Sequence, residues 1–336
     1  MGKGIVVAGD IVLDVLKVIT RFPERNGLVR IIDKSFSLGG AVSNTGRDLA
    51  CLDPGLKVSL AGMIGEDAEG DEILREFSRY KNIDTSRVIR KGQTSFTDVL
   101  TENDTRVRTF LFYGGSNDIF DYSDIDVKNL DCDLFHIGYI LLLNALDAED
   151  EVYGTHMARL LHDVQQMGIP TSVDVVSEVG DRYKVKVPPA LKYTDYFIVN
   201  EIESGKTVGI DLRGENDELL VDRIPEVLAR LRRMGVRRWI VIHSPEGGFG
   251  LDENDNYVQL PSPELPRGFI VGTVGAGDAF CAGVLLAAYN GCSLEQGIAD
   301  GIATATMSLK GAGASDAMRP IAEARALYDS LPKRRL

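Results

Sequence analysis

The fold class expected from this chain is α/β: a doubly wound, mostly parallel central sheet covered by helices, with a small β-sheet lid. Three observations lead there. Short, uniformly apolar runs of strand length recur along the chain, as strands buried on both faces require. Stretches of helical period separate them. Two further segments alternate β-branched with charged residues at period two, the pattern of a sheet with one wet face.

The apolar runs are Ile5–Ala8, Val58–Ala61, Leu134–Ile137, Thr171–Val175, Tyr196–Val199 and Trp239–His243. The helical stretches are Asp71–Tyr80, Glu151–Met167, Asp217–Met234, Ala276–Asn290 and Leu294–Lys310. The alternating segments are Leu28–Leu38 and the pair Thr94–Thr101 and Arg106–Phe112, the pair joined by a hairpin turn at Glu102-Asn-Asp-Thr105. They leave the N-terminal part of the fold with no linker-like sequence, so residues 1–336 read as one domain whose lid is formed by about residues 15–38 and 92–113. Val29 and Ile31 on an exposed β edge favour a homodimer through the lids. The Pro-rich stretch Pro261–Pro266 is a loop that brings the chain to Gly272.

A hydrophobic content of 44% with mixed charge describes a globular protein, and a net charge of -13 excludes nucleic acid and anionic membrane as expected partners. The short basic run Lys333-Arg334-Arg335 reads as a solvated end. No apolar run approaches membrane-spanning length and none of signal type precedes Ile5, so a cytoplasmic protein is expected. The four cysteines, Cys51, Cys132, Cys281 and Cys292, form no CxxC pair and read as reduced thiols, and the four histidines show no metal-ligand spacing.

The most informative stretch is Gly272-Thr-Val-Gly-Ala-Gly-Asp-Ala-Phe280, a tight glycine turn feeding a helix N-terminus. Gly275 and Gly277 let backbone amides converge, and the helix dipole adds positive potential where they point, so the place suits an anion. A carboxylate, Asp278, stands in the same first turn, positioned to take a proton from a hydroxyl that attacks phosphorus. Alone, the motif is equally a strand-to-helix turn with an acid near its cap. A second glycine turn, Gly39-Gly40, opens another helix with Asn44 one turn inside, offering a donor and an acceptor to hydroxyls. Asp14 falls just beyond the carboxyl end of the first strand, the usual ligand crevice of an open α/β sheet, where it either accepts from vicinal hydroxyls or caps a turn.

Together these motifs resemble the ribokinase-like, or PfkB family, carbohydrate kinases over essentially the whole chain. Gly272–Phe280 is similar to that family's C-terminal signature, Gly39-Gly40 with Asn44 to its di-glycine signature, Asn200-Glu-Ile-Glu203 to its N-x-x-E motif, Gly115-Ser-Asn117 to its G-A-N segment and Val241–Gly247 to part of its nucleotide loop. The resemblance implies an ATP-dependent sugar kinase, a phosphotransferase with an alcohol acceptor. It makes Asp278 the general base and the amides of Gly275, Ala276 and Gly277 the anion hole. It gives Asp14, Gly39, Gly40, Asn44 and Asn117 to the sugar, Asn200, Ser244 and Gly247 to the nucleotide, and Glu203 to Mg²⁺ through metal-bound water.

Three departures from the pattern bear on detail. Gly272 stands where the family has an aspartate that helps bind an activating monovalent cation, which leaves K⁺ activation open. Ile242 and Ser244 replace a common polar residue and a common glycine of the nucleotide loop. Asp174-Val-Val-Ser-Glu178 lacks the arginine of the acid-sugar kinases, which argues against a carboxylate-bearing sugar. The alternatives are a nucleoside kinase of the same superfamily, with Phe36, Phe96, Phe110 and Phe112 stacking a purine, and a catalytically silent sugar-binding protein. A nucleotide-binding oxidoreductase fits poorly, because no G-x-G-x-x-G follows the first strand.

Overall fold

The structure, a computed structural model, describes residues 2–336. In chain order the elements are β1 (Ile5–Gly9), β2 (Val12–Ile19), β3 (Ile31–Gly39), α1 (Ala41–Leu52), β4 (Val58–Ile64), α2 (Ala68–Phe77), β5 (Ile83–Arg90), β6 (Phe96–Glu102) and β7 (Arg108–Tyr113). Then come β8 (Leu134–Ile140), α3 (His156–Gln166), β9 (Thr171–Val175), α4 (Tyr183–Leu191), β10 (Tyr196–Asn200), α5 (Glu201–Val208) and α6 (Ile224–Met234). The chain closes with β11 (Trp239–His243), β12 (Gly247–Leu251), β13 (Tyr257–Pro261), α7 (Ala276–Tyr289), α8 (Leu294–Ser308) and α9 (Ile321–Ser330).

Nine strands form one sheet in the order β13-β12-β11-β10-β9-β8-β1-β4-β5, parallel from β11 to β5, with β12 and β13 added antiparallel at one edge. All six apolar runs are central strands, buried along their length because helices cover both faces. The alternation of side chains divides the core in two. Val6 and Ala8 join the helices α3, α4 and α6 on one face, while Ile5 and Val7 join α1, α2, α7 and α8 on the other. Successive strands run outward from β1 in both directions, so the topological switch lies between β1 and β8, where an open α/β sheet leaves a crevice. No helix among the described residues is long and apolar enough to cross a membrane.

Helix starts deviate from the periodicity because caps set them. Asp67 accepts from Gly70 N and starts α2 at Ala68, three residues before the expected Asp71. Thr155 accepts from Ala158 N and starts α3 at His156, five residues after Glu151. Pro225 in the first turn fixes the start of α6 at Ile224, not Asp217.

The alternating segments do form a separate four-stranded sheet, in the order β3-β2-β6-β7. Two expectations need correction here. Asp14 is not in a turn at the carboxyl end of β1: that strand ends at Gly9, and after Asp10-Ile11 Asp14 is the third residue of β2, paired with Ser37 and Thr97 in the small sheet. Nor does that sheet have only one wet face. Ile31 and its neighbour Ile32, and Phe110 with its neighbours Leu111 and Phe112, are all exposed, so both faces of the edge strands β3 and β7 are open.

Candidate active site

Both glycine turns are helix N-caps in conformations that L side chains avoid. Gly275, before α7, has φ 76°, and a Cβ there would meet Ala314 Cβ at 2.4 Å. Gly40, before α1, has φ 86°, and a Cβ would lie 2.6 Å from Asp10 O. Asp10, at the end of β1, receives the start of α1: Ala41 N donates to its Oδ1 at 3.0 Å and Val42 N to its carbonyl at 3.2 Å. The two helix N-termini thereby converge on the β1/β8 switch. The first-turn amides of α7 are those that a helix leaves without intrahelical partners; that of Ala276 makes a long bond of 3.4 Å to Thr273 O.

Asp278 sits where these elements meet, buried, with both oxygens engaged. Tyr139 Oη, from β8, donates to Oδ1 at 2.5 Å, and Asn44 Nδ2, from α1, donates to Oδ2 at 3.0 Å. Arg47 fixes the Asn44 amide by donating to its Oδ1 at 3.2 Å and is itself anchored to Leu38 O and Ser43 O. Burial pushes the Asp278 carboxyl up to about 6, against the lowering effect of the Tyr139 and Asn44 hydrogen bonds and of Arg47. More carboxylates surround it. Burial, with Asp278 and Asp14 nearby, raises Asp10 to about 8; burial raises Asp14 to about 6; and burial, then Glu203 and Asp278, raise Asp174 well above its ordinary value. Asp14 also bears on the di-glycine turn, for a Cβ on Gly39 would lie 2.6 Å from its Oδ2.

Asn200 and Glu203 form the capping box of α5. Glu203 N donates to Asn200 Oδ1 at 2.8 Å and Asn200 N to Glu203 Oε2 at 2.9 Å. Glu203 Oε1 accepts from Asn200 Nδ2 at 2.8 Å and from Ser177 Oγ at 2.6 Å, and burial raises the carboxyl to about 7. Both Glu203 oxygens are thus engaged, Oε1 twice and Oε2 once, and no three His, Cys, Asp or Glu among the described residues converge as metal ligands.

A cavity of about 380 Å³ opens at the N-terminus of α7. Of the residues expected at the site, Asn200, Ser244, Ala276 and Gly277 line it. Ser244 also closes the turn between β11 and β12, its Oγ accepting from Glu246 N and Gly247 N. Gly247 is not part of the lining: it starts β12, and a Cβ there would be 2.4 Å from Leu260 O of the paired β13. Asn117 is also drawn away from the role expected for it. Fully buried, it accepts from Ile11 N at 3.2 Å and donates to Ile11 O at 3.1 Å, tying the β1–β2 break to the segment after β7.

Sequence reasoning missed Tyr139, Arg47, Asp10 and Asp174. For Tyr139 and Asp10 a signal existed, since each follows a glycine at the end of a central strand, on the side where the switch opens. The segment read as a solvated end is exposed at Arg334 and Arg335, and Arg334 also lines the cavity. The cysteines are free thiols as expected, Cys132 and Cys281 buried and the other two partly so.

Comparison with known proteins agrees with this geometry. The family model described as pfkB family carbohydrate kinase matches residues 3–321. An uncharacterized sugar kinase of Archaeoglobus fulgidus is 26% identical over 244 residues, 72% of this chain and 87% of that protein. The structure of Arabidopsis thaliana ribokinase complexed with ribose and ATP superposes with a TM-score of 0.79 at 20% identity, covering 98% of this chain and 99% of that one. The nucleoside kinase of Methanocaldococcus jannaschii superposes with a TM-score of 0.74 at 19% identity, covering 97% and 98%. With the match running over nearly all of its length and the ribokinase-like fold beneath it, the chain belongs to the PfkB family of carbohydrate kinases, transferases that phosphorylate sugar hydroxyls.

Proposed function

We propose that this protein transfers the γ-phosphoryl group of ATP to a hydroxyl of a small, uncharged sugar, with Asp278 as the general base. The observation that carries this reading is the position of Asp278: in the first turn of α7, next in sequence to Ala276 and Gly277 of the cavity lining and hydrogen-bonded to Asn44. A hydroxyl held by Asn44, Asp14 and the Gly39-Gly40 backbone can give its proton to Asp278 while the amides of Gly275, Ala276 and Gly277 steady charge on the migrating group. Asn117 supports this from behind by holding Ile11.

Mg²⁺, when bound with the triphosphate, neutralises its charge. Glu203 and Asp174 would hold it through water, an arrangement that agrees with Glu203 being already hydrogen-bonded. A K⁺ site is not supported: Gly272 supplies no carboxylate, and a Cβ at that position would lie 2.7 Å from Gly311 O. A substrate without negative charge is favoured by Asp14 and Asp278, which at about 6 are ionised at pH 7, and by Glu178, which already holds Arg182 in an ion pair. The small sheet acts as a lid within a single domain, its closure excluding water. Its exposed Ile31, Phe36, Phe110 and Phe112 suit pairing with a second copy in a cytoplasmic homodimer.

A second reading, a nucleoside acceptor, draws on the same aromatic side chains, which offer stacking surface for a base. The test is ADP release measured across pentoses, hexoses, sugar phosphates, sugar acids and nucleosides, with and without K⁺. Turnover of a neutral sugar, unchanged by K⁺, is expected. Turnover confined to nucleosides selects the second reading, and sugar-dependent binding with no ADP release rejects both.

A further inference from the structure

After α9 the chain does not leave the surface. Residues 332–334 pair antiparallel with the loop that follows β13: Glu264 N donates to Pro332 O at 2.8 Å, Arg334 N to Ser262 O at 2.9 Å, and Lys333 stands opposite Pro263. Tyr328 anchors this rung twice, donating from Oη to Pro261 O at 2.9 Å and carrying Lys333 Nζ 3.8 Å from its ring centre. Ser262, Pro263 and Leu265 are a wall of the cavity at the α7 N-terminus, so the 332–334 segment backs that wall. Arg334 turns its side chain to the cavity, Nε 3.4 Å from Pro263 O.

Charge singles this residue out. Among the described residues that line the cavity, Arg334 is the one cation. Glu201 is negative and held by Arg213, and burial lowers His243 to about 4, which leaves it neutral at pH 7. The cavity lining is of two kinds. Gly277 and Asn200 belong to helix N-termini, which suit phosphates, whereas Pro263, Leu265, Ile270 and Leu309 are apolar and suit a flat base. Arg334 enters beside Pro263, in the apolar part.

We propose that Arg334 is a nucleotide-binding residue that lays its planar guanidinium over the purine base, the 332–334 rung holding it there. This rests on reading the cavity as the ATP site. Arginine stacks on an aromatic face while keeping its N–H groups in water, and a pair of this kind contributes from about 0.5 kcal/mol when exposed to about 2 kcal/mol when desolvated, an affinity factor of about 2 to 30. The interaction is made equally in the ground and transition states. Its removal therefore raises KM for ATP and leaves kcat alone.

The experiment compares wild type, Arg334→Ala and Arg334→Lys by steady-state kinetics and by direct binding of adenosine, ADP and ATP. Arg334 is exposed, so both variants are expected to melt with wild type. The expected result for Arg334→Ala is a KM for ATP raised about 2- to 30-fold, kcat within twofold and an unchanged KM for the sugar, with adenosine, ADP and ATP weakened by the same factor and lysine restoring only part of the loss. Three results overturn the proposal: an unchanged KM for ATP in Arg334→Ala, a loss that grows from adenosine to ATP, or full recovery by lysine. Failure of the wild-type protein to bind ATP at all is a different outcome, which refutes the reading of the cavity itself.

Discussion

Tyr139 Oη donates to Asp278 Oδ1 at 2.5 Å, joining the end of β8 to the first turn of α7 across the switch point of the sheet. The proposed base is therefore oriented by two donors, Tyr139 and Asn44, one on each oxygen. Asp278→Asn keeps the shape and removes the proton acceptor. Turnover is expected to fall by about 10²–10⁴-fold while ATP affinity stays near wild type. ADP release and nucleotide binding measured on the same preparation check this, and a near-normal rate removes Asp278 from the role of base.

Tyr139→Phe tests the orientation separately from the chemistry. The base works ionised, so activity should rise with pH through its pKa, which burial sets at about 6. The Tyr139 hydrogen bond lowers that value, hence its loss raises it. The acid limb of kcat/KM against pH is expected near pH 6 in wild type and at higher pH in Tyr139→Phe. An unmoved limb would show that Tyr139 does not act on Asp278.

The central strands and the glycine turns were legible because each depends on local sequence. An apolar run such as Tyr196–Val199, short and rich in β-branched and aromatic residues, favours a buried strand, and only glycine at 275 tolerates its φ and the approach of Ala314. Three kinds of feature were not legible. Asp14 belongs to β2 because the chain breaks at Asp10-Ile11, a break that Asn117 holds from more than a hundred residues away. Tyr139 reaches Asp278 only once β1 and β8 are neighbours, a fact of topology. Arg334 belongs to a charged run that any composition argument sends to solvent, and only the pairing of 332–334 with the loop after β13 brings it back.

Glu203 is tied to Asn200 and Ser177, and its proposed action on Mg²⁺ runs through water. Glu203→Gln preserves the size of the side chain and removes the charge. The Mg²⁺ concentration for half-maximal rate should rise, with the KM for sugar little changed. A superimposable Mg²⁺ titration would contradict the assignment.

Asn117→Ala separates support from sugar contact. The substitution leaves the amide and carbonyl of Ile11 unpaired in a buried place, a loss of about 1–3 kcal/mol for such groups. Chemical unfolding should register that loss in the absence of any sugar. A variant as stable as wild type but with a raised sugar KM would return Asn117 to the substrate.

Stability should fall as pH rises from 6.5 to 8. Asp10 and Glu203 keep their protons in the folded protein up to about 8 and about 7, chiefly through burial, and release them near pH 4 when unfolded. In that interval the folded state binds more protons than the unfolded state, so the free energy of unfolding decreases with pH. His136 and His243 act in the opposite sense, because burial lowers them to about 3 and about 4, and the unfolded chain is the one that binds their protons. Their effect is halved at about pH 6.5, the ordinary histidine value, and fades above it, which leaves the carboxyl groups to dominate the slope toward pH 8. Urea unfolding at pH 6.5 and 8.0 and constant ionic strength should give a lower midpoint at pH 8.0, and Asp10→Asn should flatten the difference. A midpoint that rises with pH across this interval would mean that Asp10 and Glu203 are already ionised in the folded protein.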